Sequence, residues 1–457
     1  MVGDASFTMD NPKKRREFDR ISSLPDNTLH HILSFLPTKY AVGSSVLSTR
    51  WKHLWRSSNN LDFDDKLTYS GCESKNYSKR KKMFIDFVDR VLELNDVLSI
   101  QKVILRWKVC NVAHFNEWIS NIMRRKVQEL VISITNHIPT LYPRCPWLFT
   151  SNSSLRILKL DMKDRILVPA VFCFSSLEVL HLRNITFYGD QPMYDVSLSF
   201  PNLVDCLLET CSWEEIKTVN ISAPTLEVLD ICDWREAALW DCVIKIHAAN
   251  LTSLRFRTTP VHEYSFLDVS SLVYVVIDLS RHNKDVHRVV SLVKGLLNVR
   301  DLSVYASCIE SLSASAVVPH LQPLSRLMHL RVLQGYNLTV QKLIDFLCYV
   351  PNIESLSFPE GLEDMFTFKG QGGLLEETPQ SFLSSLKFIE IAMFNWNRRQ
   401  RWFVKYLMKS ITNMNTLNIR LQKYPSDSSL EWKEEVTEDL EVVAKASNCV
   451  LVYFEES

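Results

Sequence analysis

Residues 154–162 read SLRILKLDM, residues 176–184 read SLEVLHLRN and residues 225–233 read TLEVLDICD. Each holds the same triad: an apolar residue, two variable positions, an apolar residue, one variable position, an apolar residue. In these three the triads are Leu155–Leu158–Leu160, Leu177–Leu180–Leu182 and Leu226–Leu229–Ile231. The last two members are two residues apart, the period of a strand, so both face one side of it. Working outward, the pattern recurs at Ile100–Val103–Leu105, Val127–Leu130–Ile132, Leu203–Cys206–Leu208, Leu251–Leu254–Phe256, Leu272–Val275–Ile277 and Val299–Leu302–Val304. It is read again at Leu330–Leu333–Gly335, Ile353–Leu356–Phe358, Leu386–Ile389–Ile391 and Met414–Leu417–Ile419. The first and last starts, Ile100 and Met414, are 314 residues apart. That gives a mean period of ~26 residues, the mark of a stacked-repeat chain.

One such unit cannot bury its apolar residues alone, whereas stacked units share a continuous core. The fold class is therefore α/β: a curved solenoid with parallel strands on the concave side and helices on the convex side. The segment carrying Phe115, Trp118, Ile119, Ile122 and Met123 is one expected helical return. The LxxLxL triads resemble those of leucine-rich-repeat proteins. Spacings from 21 to 33 residues, and the general absence of the usual turn Asn, make these repeats irregular. The variable positions inside and just after each triad face the open side. They include Lys159, Asp161, His181, Arg183, Glu209, Asp230, Arg255, Arg257, Asp278 and Tyr305. This mixture of charge signs suits a protein or peptide target better than a phosphate backbone. Ordinary solvated strand positions are the competing account of each.

Composition narrows the chemistry. The 457 residues contain only 10 Gly, and no GxGxxG, GxxxxGK[ST] or GxSxG occurs, which removes dinucleotide, P-loop and nucleophile-elbow readings. Lys plus Arg and Asp plus Glu are both 52, so no global field draws nucleic acid or a membrane. Eleven scattered cysteines with no CxxC fit a reducing compartment. The opening residues lack an apolar signal-peptide core, and no run reaches the ~18–20 apolar residues of a membrane span. An intracellular protein without nucleic-acid or membrane partners is expected. His262–Glu263 does not extend to HExxH, His282 and His287 are poorly phased, and no zinc-ligand spacing is present. Nothing selects a nucleophile. Glu376–Glu377, Glu434–Glu435, Lys79 to Lys82 and the Arg398–Arg399–Arg401 cluster read as solvated charge. No catalytic residue, metal or cofactor is expected.

Residues 1–17 form a polar tail with a basic run, Lys13 to Arg16, that is compatible with nuclear import or with a solvated tail. Residues 18–63 read as three short helices. Leu29, Ile32, Leu33 and Leu36 make an i, i+3, i+4, i+7 stripe between Pro25 and Pro37. Thr38 is placed to cap a second helix carrying Ala41, Val42, Val46 and Leu47, and Ser48 a third carrying Trp51, Leu54 and Trp55. About 45 residues cannot bury so many large side chains alone, so a partner surface is expected. The run DRISSLPDNTLHHILSFLPTKYAVGSSVLSTRWKHLW resembles a plant F-box. The matching features are Leu24–Pro25, the Ile32–Leu33–Leu36 stripe, Pro37–Thr38, Val46–Leu47–Ser48, Arg50–Trp51 and Leu54–Trp55. Tyr40 and Gly43 depart from the usual plant pattern without removing an apolar anchor.

Residues 64–98 read as a charged linker, to Lys82, and an amphipathic helix with Phe84, Phe87, Val88, Val91 and Leu92; residues 99–375 hold the repeats. From 376 to 457, SFLSSLKFIEIAMF and WFVKYLMKSITNMNTLNI resemble the FBD segment of plant F-box proteins, with a further helix from Val436 to Ala446 and a last strand near Tyr453. The bland role of that segment is to cap the solenoid. The resemblance implies a non-catalytic receptor subunit of a ubiquitin ligase, in the nucleus and/or cytoplasm. Leu24, Pro25, Leu29, Ile32, Leu33, Leu36, Val42, Val46, Leu47, Arg50, Trp51, Leu54 and Trp55 would contact a Skp-type linker protein, and through it a cullin. The repeats would hold an unknown protein. Two other readings stay open: a scaffold outside any ligase, and an enzyme or lectin using the groove as a cleft.

Overall fold

The computed structural model describes residues 21–69, 77–109, 112–136, 154–189, 191, 193–233, 241–258, 262–279, 286–313, 322–334, 338–362, 384–394, 398–411, 415–421, 438, 441–442 and 450–455. The chain divides into two compact units, Met1–Trp107 and Lys108–Ser457. The basic run Lys13–Arg16, Gly335, Met414, His282 and the Glu376–Glu377 and Glu434–Glu435 pairs lie outside the described residues, as does most of the helix expected over 436–446.

The first unit opens with helix Asp26–Ser34, capped by Pro25, whose carbonyl accepts from Thr28 and Leu29. Pro25 fits there because that position supplies no intrahelical N–H. Leu29 and Leu33 point into the unit's core. Helix Thr38–Gly43 and a 3-10 turn Ser44–Val46 follow, then helix Trp51–Leu54 and a second 3-10 turn Trp55–Ser57. Both expected side-chain caps are absent. Pro37 is the N-cap of the second helix, and Thr38 Oγ1 instead accepts from the Asp62 N–H at 2.7 Å. Ser48 serves the third through its carbonyl, which accepts from Trp51 N–H at 3.1 Å.

The charged stretch from Asp64 is not an open linker where it is described. Strand Asn60–Asp64 runs straight into helix Asp65–Tyr69, and helix Tyr77–Leu94 follows. Strand Asn60–Asp64 pairs in parallel with Lys102–Val109, putting Leu61 beside Val103 and Phe63 beside Leu105. The long helix lies between these strands in sequence and buries Phe84, Val88, Val91 and Leu92, as its stripe predicts. Its ring contacts include Phe84 with Trp107 at 5.5 Å and Phe87 with Phe63 at 6.2 Å. Buried Asn95 closes the unit: its Nδ2 donates to the carbonyls of Arg56 at 3.0 Å and Ser58 at 2.9 Å, and its Oδ1 accepts from Val97 N–H at 3.4 Å. Through Asn95 the end of the long helix is thus tied to the turn that leads from the helical segment into strand Asn60–Asp64.

In the second unit a long sheet collects one strand from each repeat. In chain order the strands are Glu129–Asn136, Ile157–Leu167, Val179–Tyr188, Asp205–Glu209, Val228–Asp233, Ser253–Thr258, Tyr274–Leu279, Asp301–Tyr305, His329–Leu333, Ser355–Phe358, Phe388–Phe394, Thr416–Leu421 and Val450–Glu455. Each pairs in parallel with the next, triad against triad: Leu158 beside Leu180, Leu229 beside Leu254, Leu254 beside Val275. The described triad residues are buried, apart from one misread triad. Leu333 is only half-buried, and the buried set of that repeat is Leu327, Leu330 and Val332, three residues earlier than the sequence reading.

A β-turn precedes many of the described repeats and turns the first apolar residue inward, as in Leu226 N–H to Ala223 C=O at 3.2 Å and Leu251 N–H to Ala248 C=O at 3.1 Å. Short polar side chains tie these turns to the previous ones. Asn202 donates to Ser175 C=O, Thr225 to Pro201 C=O, Asn352 to Ser325 C=O and Ser385 to Pro351 C=O, at 2.7–3.1 Å. The ladder usually made by Asn is shared here among Asn, Thr and Ser.

The opposite layer departs from expectation. Helix Val112–Arg124 precedes it, with Phe115, Trp118, Ile119 and Ile122 buried, and helices Val286–Lys294, Ala306–Leu312, Val340–Leu347 and Arg398–Ser410 serve later repeats. In between, the returns are strands. Val171–Cys173, Tyr194–Ser199, Ile216–Ser222, Val243–His247 and Glu263–Leu267 form a second parallel sheet in chain order. Their inward residues alternate with outward polar ones, as Val196 and Leu198 do in YDVSLS, the signature of a half-buried strand. Stacked rings fill the space between layers: Phe174 on Phe200 at 4.8 Å and Phe187 on Trp213 at 4.4 Å. In the C-terminal segment Phe403, Leu407 and Ile411 are buried as their spacing predicts.

Candidate interaction surfaces

The thirteen F-box-like positions separate into two groups. Leu29, Leu33, Trp51, Leu54 and Trp55 are buried in the first unit's own core, so their direct work is packing rather than docking. Trp51 Nε1 donates to Ser22 Oγ at 2.9 Å. Arg50 is occupied internally: its Nε donates to Asp26 Oδ1 at 3.2 Å and its Nη1 to the Ser22 carbonyl. It ties the chain before the first helix to the third helix. Leu24 and Val42 are half-buried, and Pro25 is exposed.

The remaining apolar residues are left in water. Val46 is 87% exposed, Leu47 64%, Leu36 39% and Ile32 38%. Phe35 joins them at 73%, although it falls outside the i, i+3, i+4, i+7 stripe and sequence reasoning passed over it. The usable signal was the helix end. Phe35 is the C-cap of helix Asp26–Ser34, donating to Ile32 C=O at 3.3 Å, and lies off the buried Leu29–Leu33 side of that helix. Its ring meets His31 edge-on at 4.8 Å. A cluster of large apolar side chains left outside a filled core is the signature of a protein-docking surface.

On the second unit the alternation of the long sheet puts the variable positions on its open face. Each expected residue is there, and most already have a neighbour. His181 Nε2 lies 2.9 Å from Asp205 Oδ2, and Arg183 Nε lies 2.7 Å from Glu209 Oε2. Asp161 accepts from Asn184 Nδ2 at 2.9 Å. Lys159 is half-buried and stands beside His181 in register. Arg255 Nη1 donates to Asp230 Oδ2 at 2.9 Å, while Arg257 Nη2 is 3.7 Å from the same oxygen. Burial pushes the Asp278 carboxyl up to about 6, against the pull of the Arg257 charge. Burial raises the Tyr305 phenol too, helped by the Asp278 charge. Cross-strand pairing of exposed charges contributes only ~0–1 kcal/mol each, so these residues order the face more than they stabilise the fold.

Among the described residues no group of three or more His, Cys, Asp and Glu side chains is arranged to hold a metal ion, and no described helix is long and apolar enough to cross a membrane. Burial lifts the thiol of Cys206 far above the usual range, and that of Cys308 to about 12. Cys308 has a packing job: its sulfur accepts from Leu279 N–H at 2.9 Å.

Comparison with known proteins bears on both surfaces. The profile of the F-box domain matches residues 21–63, and that of the At1g61320/AtMIF1 LRR domain matches residues 95–452. The Arabidopsis thaliana F-box/LRR-repeat protein At4g14103 is 29% identical over 367 residues, covering 77% of this chain and 94% of that protein. F-box/LRR-repeat protein At4g14096 of the same plant is 28% identical over 462 residues, covering 95% of this chain and 94% of its own. Putative F-box/FBD/LRR-repeat protein At3g59240 is 28% identical over 452 residues, covering 91% and 86%.

Proposed function

The chain belongs to the F-box/LRR-repeat family, and from that premise we propose that it is the substrate-receptor subunit of a Skp–cullin–F-box type ubiquitin ligase. The observation that carries this is the exposed set Ile32, Phe35, Leu36, Val46 and Leu47 around an already filled helical core. Those five, with Pro25, dock the Skp-type linker protein, which bridges to a cullin. The open face of the long sheet holds a protein target. The chain makes and breaks no covalent bond. It raises the concentration of target lysines near the ubiquitin-loaded enzyme, which is catalysis by proximity. We place the protein in the nucleus and/or cytoplasm; imaging a fluorescent fusion with and without Lys13–Arg16 tests the basic run as an import signal.

The test is calorimetry of the full chain against a purified plant Skp-type linker. Binding that is lost on replacing Val46 and Leu47 by Asp supports the receptor reading. Absence of binding by the unmodified chain refutes it, and stable association with some other protein would then identify a scaffold.

A further inference from the structure

Four adjacent strands, Val228–Asp233, Ser253–Thr258, Tyr274–Leu279 and Asp301–Tyr305, collect a compact polar group on the open face of the long sheet. The register sets Asp230 beside Arg255, and Arg257 between Cys232 and Asp278. Val276 stands beside Arg255 and Ser303 beside Val276. Cys232, Val276 and Ser303 are small and buried and form a floor beside the longer polar side chains, of which Asp230 is itself mostly buried.

The hydrogen bonding of this group is incomplete. Asp230 is taken by Arg255, and its second oxygen has no partner. The Arg257 guanidinium is 3.7 Å from Asp230, beyond hydrogen-bond reach, and its Nε also has no partner. Asp278 makes no hydrogen bond among the described residues, though it feels the Arg257 charge. A donor and an acceptor therefore stand side by side on neighbouring strands, each with capacity to spare. Their charges cancel, as do those of Arg255 and Asp230. An anion or a cation entering here would leave one sign uncompensated in a half-buried site. A neutral group that accepts and donates at once would not.

We propose that Arg257 and Asp278 form an amide-recognition subsite: the carbonyl oxygen of a target amide accepts from the Arg257 guanidinium, and its N–H donates to the Asp278 carboxylate. The amide comes from an Asn or Gln side chain, or from the main chain of an extended segment. The inference rests on the open face being the target-contact surface.

The probes are four small molecules added to the full chain with labelled arginine. Propanamide mimics the side-chain source and N-methylacetamide the main-chain source, while propanoate and propylammonium are the charged controls. The readout is the Arg257 Nε–H resonance, identified by its loss in Arg257→Lys. The expected result is a saturable shift with at least one amide, the responsive amide naming the source. The half-saturation point should rise at least threefold in Asp278→Asn, which keeps the volume and removes the charge. No shift with either amide, or a larger shift with propanoate or propylammonium, overturns the proposal. Loss of captured target by Arg255→Glu/Arg257→Glu alongside silent amides would sink the amide subsite alone and leave the open face as the contact surface.

Discussion

Asn95 gives the sharpest test of how the helical segment is fastened to the first repeat strand. It is 4% exposed and holds two carbonyls and one N–H that belong to the helix exit and the strand entry. In Asn95→Ala the Arg56 carbonyl keeps a second donor, the Asp96 N–H at 3.0 Å. The Ser58 carbonyl loses the donor at 2.9 Å. Two good net hydrogen bonds at ~1 kcal/mol each, plus ~1–3 kcal/mol for one stranded half-buried carbonyl, give an expected loss of ~3–5 kcal/mol in the first unit. Asn95→Asp should cost more, because it turns a carboxylate toward two carbonyl oxygens. The assay is amide hydrogen exchange, peptide by peptide, with urea unfolding as the energy scale. Amides in helix Asp26–Ser34 and in strand Asn60–Asp64 should lose protection together. Loss confined to one of them, or a cost under ~0.5 kcal/mol, would refute the fastening and restore a linker between independent parts.

Three further outcomes follow. Phe35→Ala should weaken linker-protein binding at least tenfold while shifting unfolding by under ~0.5 kcal/mol, since an exposed side chain is removed; equal effects on both would mean that it packs rather than docks. Leu158→Ala should cost ~2–5 kcal/mol and its neighbour Lys159→Ala under ~0.5 kcal/mol, and equal melting losses would refute the strand register. Asp278 titrates at about 6 in the fold, well above the ~3.9 of a free carboxyl, so the folded chain binds that proton more tightly. Its contribution is thus complete below about pH 4 and fades as pH rises through about 6. The stability advantage of Asp278→Asn should grow across that window by ~1–2 kcal/mol in all, held to that size because water reaches the carboxyl and screens it; a gap independent of pH in denaturant titrations refutes it.

The long sheet was legible because burial of a triad depends on its own three positions, and Leu, Val and Ile mark them without ambiguity. The tenth triad shows where that fails. Leu330 belongs to two overlapping matches, and only the turn that brings Leu327 N–H to Leu324 C=O at 3.1 Å selects the earlier one. On the helical segment the apolar positions were legible, but their division into core and surface was not. One residue type fills both groups, and the difference between Leu33 and Leu36 is where the helix ends. The open-face charges were legible one by one through alternation. Their pairings were not, because Asp205 with His181 or Asp230 with Arg255 depends on which strands become neighbours.

The strand returns follow from repeat length, a property no single motif carries. A strand advances ~3.3 Å per residue and a helix ~1.5 Å, so about five extended residues span as far as about eleven helical ones. A repeat with few residues left after its sheet strand must therefore return extended. From Thr258 to Leu272 there are 14 residues, and from Leu167 to Leu177 only 10; both returns are strands, Glu263–Leu267 and Val171–Cys173. From Leu279 to Val299 there are 20, and from Tyr305 to Leu327 there are 22; both hold helices, Val286–Lys294 and Ala306–Leu312. Leu177 to Leu203 and Leu327 to Ile353 are both 26 residues apart yet differ in return. The first spends ten residues on strand Val179–Tyr188 and the second five on His329–Leu333. The irregular spacing, which reads as noise in the repeat pattern, is what exchanges helices for a second sheet in the middle of the unit.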